Sequence, residues 1–521
     1  VSVLNSYNLV EEDWIPVVDR GAVSLRSLFQ DSTLKELGGN PLEKISIFKF
    51  LLAIGQAAFT PKDIEEWQAM SILGFGERCN KYLEMHYKKF FLFGDRPLLQ
   101  HPLVEKATIQ EYGVLLPNIS TGNTTVLNQS QVQRHLSDGE KAILLIQQGG
   151  FALGGKKADN SVVLSSGYKG KQNAKGNPSS ARFGQSMGFA GHLHSFVLMN
   201  SVVGSLFTNL LTLEEIQAMG IFEKGLGTPP WELMPESEDC PIATRYKETY
   251  MGRLVPMSRF MFLKSSGIHV TEGIAHLGYS DGKFDPSIGI QSGKKKITSI
   301  WANPSRRPWR SITSLLSFLG TEDSISHTVF QLKFSVPKAK MSSKSFFLWS
   351  SGLKVSSNAG EQFFSGSDDY VDSKIELDSN VLGENWFARL QKEMNDLTSV
   401  QSHLYFSVIG YFKSLQTDGK KQAEKTSTQF WNEAEEFFAQ LLEECYGINE
   451  VPQVRKKYAR LAQKTYNRVC PMSTSRQIEA WAENKPSFAS YVKGTKKSKS
   501  EDTKVQTESK GGNYGELSGE K

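Results

Sequence analysis

Trp386-Phe-Ala-Arg-Leu390-Gln-Lys-Glu-Met394-Asn-Asp-Leu397 opens a run in which large apolar residues return every three or four positions, continuing through Leu404, Val408 and Tyr411. That spacing predicts one long amphipathic helix. The same period recurs at Phe430, Ala434, Phe437 and Leu441, and again at Val454, Tyr458, Leu461 and Val469. Short polar connections, Thr417-Asp-Gly-Lys420 and Gly447-Ile-Asn-Glu450, separate the runs. Helices that each hide one stripe and are joined by short links form an antiparallel bundle, here a four-helix bundle. The stripes are packing residues rather than a cofactor-binding set. A last short helix is expected over Ile478–Val492. Beyond it, Lys493–Lys521 is rich in Lys, Ser, Thr, Gly and Glu, the composition of a disordered tail.

Before residue 380 the pattern changes. From about 245 to 380, β-rich runs such as Thr298-Ser-Ile-Trp301 and Thr328-Val-Phe-Gln-Leu-Lys-Phe-Ser-Val336 alternate with Gly, Pro and Ser turns. Asn8–Val17 reads as a short strand ending in an extended proline segment. Ser46–Phe59 reads as an apolar helix stopped before Pro61, with Pro61 itself opening the next helix. The fold class expected is α+β. A large mixed N-terminal domain (1–380) precedes the helix bundle (381–475), and a short helix and basic tail (476–521) follow.

With 39% apolar, 11% aromatic and 22% charged residues, the 521-residue chain has the balance of a folded soluble protein. Cys79, Cys240, Cys445 and Cys470 lie far apart with no CxxC pair, which excludes a disulfide scaffold and a local zinc motif. The net charge is +5, but it is unevenly placed. Gly149–Ala190 carries +5, with nine glycines and the cations Lys156, Lys157, Lys169, Lys171, Lys175 and Arg182 against Asp159. Lys283–Arg310 carries +6, so the remainder is −6. Two basic segments on a mildly acidic body suit a localised polyanion site. The first residues show no secretory signal. Ser195–Leu213 is uncharged, but seven of its 19 residues are Ser, Thr or Asn, so it is expected to be a buried helix rather than a membrane span. A cytoplasmic location is expected.

Candidate catalytic arrangements are weak. Gly150-Phe-Ala-Leu-Gly-Gly155-Lys156-Lys157 matches a phosphate-binding P-loop except at its last position, where Lys157 replaces the magnesium-binding hydroxyl. Glycines that let backbone approach a ligand, with lysines supplying charge, remain the sounder reading. His192 and His194 share a strand face but have no metal-ligand partners at suitable spacing. His135-Leu-Ser137 and His269-Val-Thr271 resemble paired phosphoesterase triplets, and Asp368-Asp369 lacks a third acid. A nucleotide-dependent or phosphoesterase enzyme is the alternative to a binding protein. Lys294–Lys296 with Trp301, Arg306, Arg307, Trp309 and Arg310 interleaves cations with indoles, which suits phosphate contact plus stacking, or else two core tryptophans beside a solvated turn.

Several stretches occur together in an order found in one family. They are Asn8–Val17, Phe50-Leu-Leu-Ala-Ile-Gly-Gln56, Gly122-Asn-Thr-Thr-Val-Leu-Asn-Gln129, Ala142-Ile-Leu-Leu-Ile-Gln147, the Gly149–Gly155 loop, Asp285-Pro286 and Pro308-Trp309. Over roughly residues 8 to 470 the chain resembles the large subunit of the type I-E CRISPR surveillance complex, Cascade.

That resemblance implies a non-enzymatic subunit without cofactor. It would read the short motif (PAM) flanking a double-stranded DNA target, largely in the minor groove, and help open the duplex into an R-loop. It would also recruit a helicase–nuclease or a variant nuclease. Other Cascade subunits and the guide RNA's 5′ handle are the further implied partners, with no membrane. The DNA-reading elements map onto Gly149, Gly150, Gly154 and Gly155 with Lys156 and Lys157 as the glycine loop, Lys283 as the lysine finger, and Gly352–Gly360 as a hairpin wedge including Lys354, Asn358 and Ala359. Asn123, Val126 and Asn128 fall at the guide-handle contact. Asn358 stands where well-known members carry Gln, and Val126 replaces an aromatic. The zinc-binding CxxC pairs of some relatives are missing, so no structural metal is expected. Tyr168–Ala190 has no counterpart in the family and is expected to track flanking or displaced DNA through phosphate contacts.

Overall fold

The structure, a computed structural model, describes residues 6–116, 135–152, 158–159, 162–165, 191–292, 297–321, 327–355, 369–446 and 452–494. The chain divides into two compact units: Val1–Asn395 with Ala434–Ile448, and Asp396–Glu433 with Asn449–Lys521. The boundary falls inside the helix Glu384–Ser414.

The first unit is α+β and is built around the helix Pro41–Ala58. Asn40 caps its first turn, Glu43 returns the bond to the Asn40 N–H, and Pro41 occupies a position where no N–H is needed. Burial is nearly all round, from Leu42 through Ile45, Ile47, Phe48, Phe50 and Leu51 to Ile54. A helix without a polar stripe must be covered on all sides. The helices Ile72–Met85, Asp138–Phe151 and Val202–Asn209 supply cover, together with a three-stranded sheet.

In that sheet Ser345–Leu353 is central, flanked antiparallel by Tyr370–Asp378 and by His194–Leu198. Leu353 faces Tyr370, so the two longer strands form a hairpin whose connection is 354–369. A second sheet orders Ile109–Gln110, Ile268–Glu272 and Arg259–Leu263.

Four local expectations are corrected. Thr328–Val336 is not a strand: a helix runs Phe330–Ser342, with Leu332, Val336 and Ala339 buried at i, i+4 and i+7 and Phe330 stacked on Phe334. Helical spacing outweighed β-branched composition there. Ser195–Leu213 is part strand (His194–Leu198) and part helix (Val202–Asn209), because Ser201 caps a new helix through the Gly204 N–H. Asn8–Val17 is divided by a turn between the strands Ser6–Asn8 and Ile15–Val17. Pro61 precedes its helix, which starts at Ile64 after the Asp63 cap.

The second unit is helical, as the periodic runs predict. Glu384–Ser414 is one 31-residue helix, and within this unit its Leu397, Val400, Leu404, Val408 and Tyr411 are buried. Phe430 and the helix Val454–Val469, through Tyr458, Leu461 and Tyr466, complete the packed faces. The expected helix over Ile478–Val492 is two, Ser475–Asn484 and Ala489–Lys493, with Pro486 between them. In the first unit, the stripe reading fails by one residue at Phe437. The 3-10 turn Glu435–Phe437 rotates the chain, so Phe438 is the buried ring. No helix among the described residues is long and apolar enough to cross a membrane.

Candidate nucleic-acid interface

The glycine stretch expected to be irregular from Gly149 starts as helix. Asp138–Phe151 is opened by a Ser137–Glu140 capping box, and Ala142, Leu144, Leu145 and Phe151 are buried. Gly149 and Gly150 form its last turn. The Gly149 carbonyl accepts the Ser258 N–H at 2.8 Å, tying the helix end to the second sheet. A Cβ on Gly150 would touch Pro256 at 3.5 Å, whereas a Cβ on Gly149 meets no described atom within 4 Å. Both glycines are buried, and no described atom fills the place of a Gly149 Cβ. Gly154, Gly155, Lys156, Lys157, Asn123, Val126, Asn128, Asn358 and Ala359 lie outside the described residues.

Lys283 is held by an ion pair. Its Nζ is 2.7 Å from Glu223 Oε1 and 3.4 Å from the Ile221 carbonyl. The hydrogen bond and charge of Lys283 keep the Glu223 carboxyl below the usual range. A lysine so placed reaches another anion only by leaving that pair. Lys354 is exposed, one residue beyond the central strand, and its N–H donates to the Asp369 carbonyl at 2.9 Å, closing the base of the hairpin connection. Gly352 and Leu353 belong to the buried strand, not to the hairpin tip.

His192, His194 and His269 are held by the fold. His192 Nδ1 lies 3.1 Å from Ser299 Oγ, with its ring against Trp301 and Tyr279. Burial lowers the pKa of His192 to about 4 and that of His194 to about 3, so both are neutral. His269 donates Nδ1–H to the Ala107 carbonyl at 2.7 Å, and Thr271 Oγ1 donates to the Val162 carbonyl. The His269-Val-Thr271 triplet is thus occupied by backbone, and His135 is exposed. Trp309 is a core residue packed on Phe438, with ring centroids 4.9 Å apart, while Trp301 stays 36% exposed. Among the described residues no three His, Cys, Asp or Glu side chains are grouped to hold a metal ion.

Two features escaped the sequence reading. Lys49 lies in the middle of the buried helix Pro41–Ala58, 1% exposed, and pairs with Asp285, itself buried. Asp285 also accepts from the Ser287 N–H (2.9 Å) and Oγ–H (2.7 Å). Burial alone would raise the Asp285 carboxyl, but the Lys49 charge and the hydrogen bonds from Lys49 and Ser287 reverse that and hold it at about 2. The available signal was a lysine inside Ile47-Phe-Lys-Phe50, where a long charged side chain is out of place unless it is paired. The second feature is the helix Val454–Val469. It has six basic residues and no acid, and Lys456, Lys457, Arg460, Lys464 and Arg468 are exposed on one face. Its signal was the absence of any carboxylate from a full helical segment.

The chain is similar to known proteins. A curated CRISPR-associated protein CasA/Cse1 of Thermus thermophilus is 28% identical over 169 residues, covering 29% of this chain and a third of that protein's length. A solved structure of Thermus thermophilus CasA (Cse1) superimposes with a TM-score of 0.70 at 16% identity, covering 92% of this chain and 98% of that one. A chain of a CRISPR RNA-guided surveillance complex superimposes with a TM-score of 0.65 at 14% identity, covering 92% and 99%. At those identities the likeness shows the fold. The model of the CRISPR-associated protein Cse1 family matches residues 8–470, nearly the whole chain, and on that match the chain belongs to the Cse1 family.

Proposed function

We propose that this chain is the large subunit of a crRNA-guided surveillance complex and that it recognises the motif flanking a double-stranded DNA target. The observation that carries the reading is the family match across residues 8–470. Reading from the minor groove uses backbone and small residues, because the groove is narrow and its donor and acceptor pattern is degenerate. Gly149 suits that use: its carbonyl is anchored by Ser258, and, although the residue itself is buried, no described atom stands where a side chain would. The antiparallel hairpin with its connection at 354–369 suits a wedge entering the first target pair. Duplex opening would begin there, and a nuclease partner would act on the opened strand. The subunit itself does no chemistry in this reading. The guide-handle contact at Asn123, Val126 and Asn128, the finger role of Lys283 and the wedge roles of Lys354, Asn358 and Ala359 belong to the same proposal.

Gly149→Ala tests it. A methyl here meets no described atom and replaces the poorest helix former but proline by the best, so stability is expected to hold or rise by up to about 1 kcal/mol. In the complex assembled with its partner subunits and guide RNA, the same methyl is expected to weaken binding of a motif-bearing duplex tenfold or more. Unchanged binding by a normally folded variant would remove Gly149 from the interface.

A further inference from the structure

We propose that Asp285 is the positioning residue of this recognition face, fixing in one geometry both the chain leaving Gly149–Gly150 and the segment that carries Lys283. The inference rests on the DNA-reading function proposed above. It starts from the direction of each hydrogen bond. The Ser287 hydroxyl gives its only proton to Asp285, so the contact of 2.8 Å between Ser287 Oγ and His194 Nδ1 requires the histidine to donate. His194 is then the Nδ1–H tautomer, and its Nε2 is buried without a hydrogen-bond partner among the described residues. Lys49, Asp285, Ser287 and His194 form one chain in which donation converges on Asp285, from Lys49 on one side and from His194 through Ser287 on the other.

Phe151, the last residue of the glycine-bearing helix, is held by both ends of that chain. Its ring lies edge-on to His194, with centroids 5.3 Å apart, and 5.6 Å from Lys49 Nζ. A ring fixed on two sides fixes the turn before it, which is Gly149–Gly150. On the other side, Asp285 stands two residues after Lys283. Its turn is pinned by Ser195 N–H to the Ser287 carbonyl (2.8 Å) and by Gln331 N–H to the Pro286 carbonyl (2.9 Å). One carboxylate therefore joins the two segments. A buried ion pair is a poor stabiliser, since removing two charges from water cancels most of their attraction. What it supplies is direction: hydrogen bonds hold at one geometry, whereas apolar contacts slide.

The test is the neutral pair Lys49→Met with Asp285→Asn, made in the full chain and assembled with partner subunits and guide RNA. The probes are a duplex with its flanking motif intact and one with the motif scrambled. The expected result is an unfolding temperature within a few degrees of the parent, with at least a tenfold smaller ratio of the two affinities. The salt dependence of scrambled-duplex binding should be unchanged, since phosphate contacts are not touched. A folded double variant that keeps the parent's ratio overturns the proposal. Should the pair fail to fold, Phe151→Leu decides: it leaves every polar partner in place, is expected to lower the ratio, and overturns the proposal if the ratio holds. If the parent complex shows no motif preference at all, the DNA-reading function fails, and this inference falls with it.

Discussion

Lys49 and Arg460 both sit in the middle of helices, and they are treated in opposite ways. Lys49, in the first unit, is sealed against Asp285 beneath Phe151. Arg460, in the second, stands exposed on a face shared with Lys456, Lys457, Lys464 and Arg468. The first unit repeats its device at Lys338, which is wholly buried and directs Nζ to Glu215 Oε2 (2.5 Å) and the Leu210 carbonyl (2.7 Å). The second unit buries one cation in its basic helix, Arg455, and pairs it with Asp396 (2.5 Å) and the Tyr491 carbonyl (2.7 Å). Buried cations require partners with fixed geometry, so they order structure. On the exposed face of that carboxylate-free helix Arg468 pairs with Glu433 from outside the helix at 2.6 Å, and an exposed pair of this kind contributes little to stability because water screens it.

The sharpest way to break the contrast is Lys49→Met alone. Losing one partner leaves Asp285 as an uncompensated buried charge, and a loss of about 3–5 kcal/mol is expected in chemical unfolding. The paired change Lys49→Met with Asp285→Asn should recover most of it, and failure to recover would mean that Lys49 acts through its packing. Next in size is Gly273→Ala, expected to cost about 1–3 kcal/mol through overpacking. Its Cβ would stand 2.2 Å from the Met257 carbonyl oxygen and 2.4 Å from the Arg259 nitrogen, beside the strand end that holds Gly149. Gly149→Ala, with nothing in its way, is the matched control.

Acid sharpens the comparison further. His194 and His276 have folded pKa values lowered to about 3 by burial, and His192 to about 4. As pH falls below the unfolded value of about 6.5, the unfolded chain takes up protons that the folded chain refuses, so stability falls by about 1.4 kcal/mol per pH unit for each histidine. Asp285 adds its own loss below about pH 4, as pH falls toward its folded value of about 2. Unfolding midpoints between pH 7 and 5 should therefore drop, and His194→Gln should lower that slope by about one proton. A slope that His194→Gln leaves unchanged would mean that His194 is not held neutral. The smallest effect is expected for Arg460→Gln with Lys464→Gln, within about 0.5 kcal/mol of the parent in thermal unfolding. A larger loss would place those side chains in the structure of their own unit.

Much of the second unit was legible because its helices repeat one pattern over long runs, and period survives any error at the ends. Leu397 through Tyr411 needed only the spacing of large apolar residues. In the first unit, Phe437 was misread because a 3-10 turn advances the chain by a different angle, which leaves no mark in composition. The first unit was harder. Thr328–Val336 has strand composition and helix spacing, and packing of Leu332 and Val336 under neighbouring elements settled the choice. At the candidate site, glycines and lysines pointed to Gly149 and Gly150, but not to the carbonyl anchored by Ser258. That contact joins residues 109 positions apart.

The amino-acid sequence by itself determined the class of the fold, the helical C-terminal region, the family and the uneven placement of charge, because each is written in local order or composition. Only the tertiary structure decided which charges are buried. Lys49 meets Asp285 across 236 positions, and Lys283, given by the family resemblance as a lysine finger, is held by Glu223. A side chain's ionisation and direction depend on what the fold brings against it, and burial makes that neighbour decisive by removing the water that would otherwise take its place.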